Sequence, residues 1–363
     1  MAWKIKDAIH LEIGQPDFTT PDHIVDATCK YVKDGYTKYT PNAGMDQLRQ
    51  AVARYFERKT NVATSAENIL VTPGAIFSIA TAFLATLEFG DEVLLPNPGW
   101  PNYSMMASII HAKPVFYSLK PQNNFFPDFD ELEKLVSSGT KMILICSPSN
   151  PTGQVYDSEL ISRFMEFARK NDLYVLSDEI YSDIVFDNEH VSALSYDTDE
   201  RTLIVSGMSK SYAMTGYRVG FTRARADYIN LAAKLQEAFI ACVSGFSQLA
   251  SVEGLEGPQE CVQEMRIAYK KRRDLALEIL KKNNLYQYTP GGAFYLLIDI
   301  SSTGMNSTEF AYHLLEEKKV AVAPGSTFGS ISQNHIRISF ASSEDNIKEG
   351  LQRICEMIEE NKR

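Results

Sequence analysis

Metal-binding patterns are missing from this 363-residue chain: its six histidines show no HExxH or related spacing. The five cysteines (Cys29, Cys146, Cys242, Cys261 and Cys355) are scattered, odd in number and form no CxxC pair. A zinc site and a disulfide framework are thereby disfavoured, no metal is expected, and free thiols in a reducing, cytoplasmic compartment are. A GxGxxG fingerprint and a Walker loop are also absent, which disfavours a dinucleotide or a nucleoside triphosphate. Excess positive charge is lacking too: the formal net charge of −10 argues against a nucleic-acid-binding surface. The one basic run, "YKKRRD" at 269–274, lies in a helical pattern and reads as a solvated face. The sequence opens on "MAWKIKDAIHLEIG", which has no long apolar core, so no signal peptide is expected there. Its most hydrophobic stretch, "ILVTPGAIFSIATAFLATLEF" at 69–89, is broken by Pro73-Gly74. That stretch reads as a strand, a turn and a buried helix, so no membrane span is expected.

What is present is an ordinary soluble composition on a chain too long for one core, so a large domain with a smaller companion is expected. Short apolar runs alternate with helical patterns, and each run ends in a loop of Gly, Pro, Ser or Asn. "NILV" (68–71) leads into "TPGA", "EVLL" (92–95) into "PNPGWPNY", and "KMILIC" (141–146) into "SPSNPTG". "LYVL" (173–176) leads into "SDEIY" and "TLIV" (202–205) into "SGMSK". Continuous apolar strands with intervening helices imply an α/β fold, a mostly parallel sheet covered on both faces, with ligands at the carboxyl ends of the strands. From about residue 265 the pattern changes to a long basic helix, "YTPGGAFYLLIDI", a helix near 307–318, "VAVAPG", "HIRISFA" and a terminal helix. The expected division is a large domain over 33–264 and a smaller α+β domain built from 1–32 and 265–363.

The unusual residues fall at the strand ends. Lys210, in "SGMSK", follows a buried-type strand among small side chains, poor company for an exposed ammonium. A lysine with a lowered pKa can form a Schiff base with an aldehyde; the plainer alternative is a surface charge. Arg218 carries a fork suited to phosphate, or else pairs with a carboxylate. Ser206 and Ser209 could add hydroxyl donors, or simply cap a helix. "TPGAIF" offers the free backbone N–H groups of Gly74, Ala75 and Ile76 at a helix start, which attracts an anion. Asp178 could hold a proton on an aromatic nitrogen, or cap a helix. Asn150 and Tyr181 are neutral donors within reach of a ring oxygen, Asn150 being otherwise a turn residue before Pro151. Trp100 could stack on a flat ring, or fill the core. An aldehyde, a phosphate, an aromatic nitrogen and a ring oxygen describe pyridoxal 5′-phosphate.

"GMSKSYAMTGYRVG" (207–220) resembles the lysine signature of class I aminotransferases, in the fold-type I family of pyridoxal-phosphate enzymes. "IGQPDF", "YTKYTPNAG", "SPSNPTG", "SDEIY" and "HIRISFA" resemble the family's other motifs, in its order, across nearly the whole chain. The resemblance implies that Lys210 holds the cofactor's aldehyde, Asp178 pairs with the ring nitrogen, Asn150 and Tyr181 meet the ring oxygen, and Trp100 stacks on the ring. It further implies that Ala75, Ser209 and Arg218 hold the phosphate, and that Tyr39 reaches the phosphate of the other subunit in a homodimer. In "HIRISF" the alternation separates Ile336, Ile338 and Phe340 from His335, Arg337 and Ser339. Arg337 is thus read as a clamp for a substrate α-carboxylate, against a surface salt bridge, and by the resemblance Gly14 adds a backbone contact. The expected activity moves an amino group between an amino acid and a 2-oxo acid in ping-pong order, with a carbon–sulfur β-lyase as the alternative on the same fold. Two departures stand out. The stretch before "IGQPDF" is short, and Gln15 stands where many relatives carry Glu. "GAIF" also lacks the cation that some aspartate-preferring relatives place there, which favours an apolar or aromatic amino acid as one substrate.

Overall fold

The apolar runs become adjacent strands because both of their faces are apolar. In Thr140–Cys146, Ile143 and Ile145 enter one core while Met142, Leu144 and Cys146 enter another. Thr202–Gly207 divides likewise, Ile204 to the first core and Leu203 and Val205 to the second. A strand with two apolar faces must be covered by helices on both. The computed structural model, which describes residues 5–363, meets that demand. Ala75–Thr86 and Ala226–Ile240 feed the second core, and Asp46–Thr60 and Ser158–Lys170 the first. The start of Ser158–Lys170 is fixed locally: the Asp157 carboxylate accepts the Leu160 N–H at 2.9 Å, with Arg169 and Lys170 in the last turn.

The large sheet has seven strands. Across it run Ile69–Thr72, Gly220–Arg223, Thr202–Gly207, Tyr174–Asp178, Thr140–Cys146, Glu92–Asn97 and Lys113–Ser118. Gly220–Arg223 is antiparallel to both its neighbours, and the other pairings are parallel. Neither Gly220–Arg223 nor the edge strand Lys113–Ser118 is among the strands expected from sequence. The hydrophobic stretch at 69–89 divides as expected, into a strand ending at Thr72 and a helix beginning at Ala75.

A second sheet of three antiparallel strands orders Ala323–Pro324, His335–Ser339 and Tyr295–Asp299. The helices Glu260–Lys282, Ser307–Lys318 and Glu344–Glu360 accompany it. Ile9–His10 pairs in parallel with Val320–Ala321, tying the N-terminal segment to this part of the chain. Helix Asp22–Lys33, by contrast, packs on Gly245–Glu256.

The basic run corrects its own reading as a wholly solvated face. Lys271 is exposed and Lys270 half-buried, paired with Glu344 at 2.7 Å and Asp187 at 2.6 Å respectively, and Arg272 forks onto Asp17 at 2.7 and 2.9 Å. Arg273 is buried, bonded to Asp187, to Asp274 at 2.7 Å and to the Pro290 carbonyl at 3.1 Å. All four cations of the run fasten distant segments together, and only Lys271 is exposed.

Candidate active site

Because the strands of the large sheet are mostly parallel, their carboxyl ends bring five loops to one rim. The second sheet closes over that rim and encloses a cavity of about 430 Å³. Gly14, Ala75, Ile76, Trp100, Asn150, Asp178, Tyr181, Ser209, Lys210, Arg218 and Arg337 all line it.

One end of the cavity is an anion cradle. Gly74 adopts φ +88° at the start of helix Ala75–Thr86, and no side chain caps that helix. A Cβ at Gly74 would lie 2.5 Å from Nη2 of Arg218, so only glycine lets the guanidinium lie against the helix start. Arg218 itself has a left-handed backbone, φ 56°. It donates to the carbonyls of Thr215 at 3.0 Å and Pro73 at 3.3 Å, and no carboxylate pairs with it among the described residues. A Cβ on Gly220 would collide with the Ala75 nitrogen, so the antiparallel strand presses Arg218 and the helix start together.

At the opposite wall Asp178 is buried at the end of its strand. One oxygen accepts the Tyr103 hydroxyl at 2.6 Å, the other the Ile180 N–H at 3.2 Å, and no cation bonds to it among the described residues. Burial pushes its carboxyl up to about 6 against the pull of those two donors. Trp100 stands edge-on to Tyr103, ring centroids 5.4 Å apart.

Lys210 reaches the cavity between these ends. Its Nζ donates to the Gly14 carbonyl at 2.6 Å and forms no ion pair with a carboxylate among the described residues. Burial first, then the Arg337 guanidinium, lowers its ammonium to about 8; Asp178 opposes the shift and Arg218 adds to it. At pH 7 about a tenth of the amine is then unprotonated, against a few parts in ten thousand for an ordinary lysine.

Arg337 is buried between the rings of Tyr295 and Phe328, at 4.3 and 4.7 Å from their centroids. Nη1 donates to Oδ1 of Asn150 at 2.9 Å and Nη2 to the Glu12 carbonyl at 2.6 Å, while Nε is buried without a partner. A guanidinium held by neutral acceptors alone is a buried charge awaiting an anion. Its exposure is incompatible with a surface salt bridge. Among the described residues the Asn150 amide nitrogen has no hydrogen-bond partner, and the Tyr181 hydroxyl lies 2.8 Å from that of Tyr295.

Three expected residues lie outside the lining, the first being Gly74, which sits at the helix start against Arg218. Ser206 sits within strand Thr202–Gly207, outside the cavity lining, its hydroxyl donating to the Glu179 carbonyl at 3.4 Å. Tyr39 is 90% exposed and does not line its own chain's cavity. Conversely Gln15, Ile79, Tyr103, Ile180, Thr215 and Tyr295 line it without having been singled out as site residues. For Tyr103 and Tyr295 a signal existed, since "GWPNY" and "GAFYLLIDI" sit among motif residues, but an aromatic in an apolar run reads as core.

This donor set fits pyridoxal 5′-phosphate: among the described residues, a helix start without a side-chain cap beside a guanidinium with no carboxylate partner for the phosphate, a buried carboxylate without a cation for the ring nitrogen, and an amine of lowered pKa for the aldehyde. Fold and cavity define a fold-type I, pyridoxal-phosphate-dependent enzyme. Residues 6–354 match the family described as aminotransferase class I and II, and the chain belongs to it. It is 38% identical to an aspartate aminotransferase of Pyrococcus horikoshii, over 99% of this chain and 93% of the relative. The crystal structure of an aromatic aminotransferase from Pyrococcus horikoshii superposes with a TM-score of 0.95 at 35% identity, covering 99% of this chain and 97% of that one. A Thermus thermophilus aspartate aminotransferase with maleate gives 0.94 at 34% identity, covering 98% and 94%. The chain is a pyridoxal-phosphate-dependent aminotransferase.

Proposed function

We propose that this aminotransferase takes an apolar or aromatic amino acid as one substrate, in ping-pong order, on a site completed by a second copy of the chain. The observation that carries this reading is the charge inventory of the cavity: its lining holds three cations, Lys210, Arg218 and Arg337. Lys210 is read as the residue that links to the cofactor's aldehyde. Arg218, Ser209 and the N–H groups of Ala75 and Ile76 are read as phosphate ligands, and Arg337 with Gly14 as the α-carboxylate clamp. No cation then remains for a second substrate carboxylate, and Ile76 and Ile79 offer apolar surface. An unpaired distal carboxylate in such a site is costly.

When bound, the cofactor supplies an electron sink for the charge left at the substrate Cα. The protein's residues divide the remaining work. Asp178 keeps a proton on the ring nitrogen beside it. Asn150 and Tyr181 donate to the ring oxygen, and Trp100 covers the ring. Arg337 fixes the substrate so that its Cα–H faces Lys210, whose Nζ takes that proton as a base of suitable pKa and can return it from the same position.

A homodimer with shared sites is supported by Tyr39, whose phenol is exposed and accepts or donates no hydrogen bond within its own chain among the described residues. We place it on the partner's phosphate. We assign 33–264 to the cofactor lobe and 265–363 to the smaller one, with Ile9–His10 joined to the smaller lobe by its pairing with Val320–Ala321, whereas helix Asp22–Lys33 packs on Gly245–Glu256 of the larger. The five cysteines are all free thiols, in keeping with a cytoplasmic enzyme.

A panel of amino donors, each with 2-oxoglutarate and with pyruvate, tests the specificity. Aromatic and branched apolar donors are expected to exceed aspartate in kcat/KM by at least about tenfold. Aspartate equal to or better than phenylalanine would overturn the assignment. The amine predicts a pH profile as well. Because its pKa lies below the ordinary lysine value, its neutral form accumulates as pH rises to about 8. Capture of added cofactor by apoenzyme, followed by stopped-flow absorbance, should accelerate up to that pH and then level off. A rate still climbing at pH 10 would contradict a lowered amine.

A further inference from the structure

The two neutral donors assigned to the ring oxygen are each bonded to a residue of the three-stranded sheet. Asn150 accepts from Arg337, and Tyr181 pairs with Tyr295. Tyr295 and Arg337 sit on hydrogen-bonded strands, two residues apart in register, since Tyr295 faces Ser339 and Leu297 faces Arg337. The Tyr295 hydroxyl is held in place: its ring is buried, edge-on to Tyr181 at 85°, and a Cβ on Gly14 would fall 2.5 Å from its oxygen.

We propose that Tyr295 is a positioning residue that donates its hydroxyl to Tyr181 and thereby strengthens Tyr181 as a donor to the cofactor's ring oxygen. This rests on the reading of Tyr181 given above. A phenol has one proton. If Tyr181 gives its proton to the ring oxygen, the 2.8 Å contact with Tyr295 is a bond only when Tyr295 is the donor. Successive hydrogen bonds of this kind polarise one another and strengthen the last. The surroundings favour the same direction. The Arg337 guanidinium lies over the Tyr295 ring and eases loss of its proton, against the effect of burial. Lys210 Nζ stands 5.9 Å from the Tyr181 ring centroid. Arg337, Asp178 and Cys146 also act on Tyr181; Cys146 acts on Tyr295 too, and burial pushes its thiol up to about 12, so it stays neutral. No carboxylate bonds either phenol among the described residues.

The test is a pH titration of the visible absorbance of the cofactor-loaded enzyme, whose midpoint falls when the ring oxygen is better stabilised as an anion. Tyr295→Phe is expected to raise that midpoint by about half a pH unit to one unit. In a Tyr181→Phe background the same substitution should leave the midpoint unmoved. An unchanged or lowered midpoint for Tyr295→Phe alone, or an equal rise in both backgrounds, overturns the proposal. If Tyr181→Phe itself fails to raise the midpoint, the assignment of Tyr181 to the ring oxygen falls, and the relay with it. A rise for Tyr181→Phe with none for Tyr295→Phe removes only the relay.

Discussion

Lys210→Ala is expected to lower kcat/KM by about 10⁴-fold or more and to abolish the visible band of lysine-linked cofactor. Both losses have one origin. The side chain that reaches the Gly14 carbonyl is the one amine lining the cavity, and its burial beside Arg337 and Arg218 keeps it partly unprotonated near neutral pH. Alanine removes the nucleophile for the aldehyde and the base for the Cα proton together. The fold should persist, because Lys210 makes no ion pair with a carboxylate among the described residues. Cofactor should therefore still bind, held by the cradle at Arg218 and Ala75, and its dissociation constant can be measured by fluorescence quenching. A folded variant with near-normal turnover would show that another group does the chemistry.

Asp178→Asn should separate activity from stability. Asparagine keeps the shape: its carbonyl oxygen can accept the Ile180 N–H while its NH2 donates to the Tyr103 hydroxyl, but it cannot hold a proton on a ring nitrogen. A loss of roughly 10²–10³ in kcat is expected. The apoenzyme should move the other way. The folded carboxyl sits at about 6, above its ordinary value of 3.8, so its ionisation opposes folding at neutral pH. Its neutral form adds stability that is fully present below about 3.8 and lost as pH rises through about 6. At pH 7 the asparagine variant, lacking that penalty, should therefore be the more stable apoenzyme, by at most about 3 kcal/mol. Toward pH 4 the two should converge. Denaturant unfolding of both apoenzymes at pH 4, 6 and 7.5, set beside steady-state rates, measures the two effects. An apoenzyme weakened by the substitution at pH 7, or undiminished turnover, would contradict the role given to this carboxylate.

Much of this arrangement is legible in the sequence because the strands advertise themselves. "KMILIC" and "TLIV" are apolar at successive positions, and the loops after them carry the glycines, prolines and polar groups that mark a rim. Arg337 is legible through simple alternation. Three things are not. Gly220–Arg223 has four residues and follows the lysine loop directly, so it reads as the tail of that loop. Tyr103 and Tyr295 are aromatic residues amid apolar neighbours, and only the partner at the far end of each hydroxyl separates them from core. The basic run carries no mark distinguishing Arg273, which is buried, from Lys271, which is not. Each of these depends on contacts between residues far apart in sequence, which local periodicity does not encode.

The segment through Glu12 and Gly14 has a consequence of its own. It accepts hydrogen bonds from Arg337 and Lys210 through carbonyl oxygens, and it is anchored by the ladder that Ile9–His10 forms with Val320–Ala321. Carbonyls are common to every amino acid, so these two hydrogen bonds depend on the route of the chain, and the loss of a single residue from the stretch would shift both by one step and unseat Arg337 and Lys210 at once.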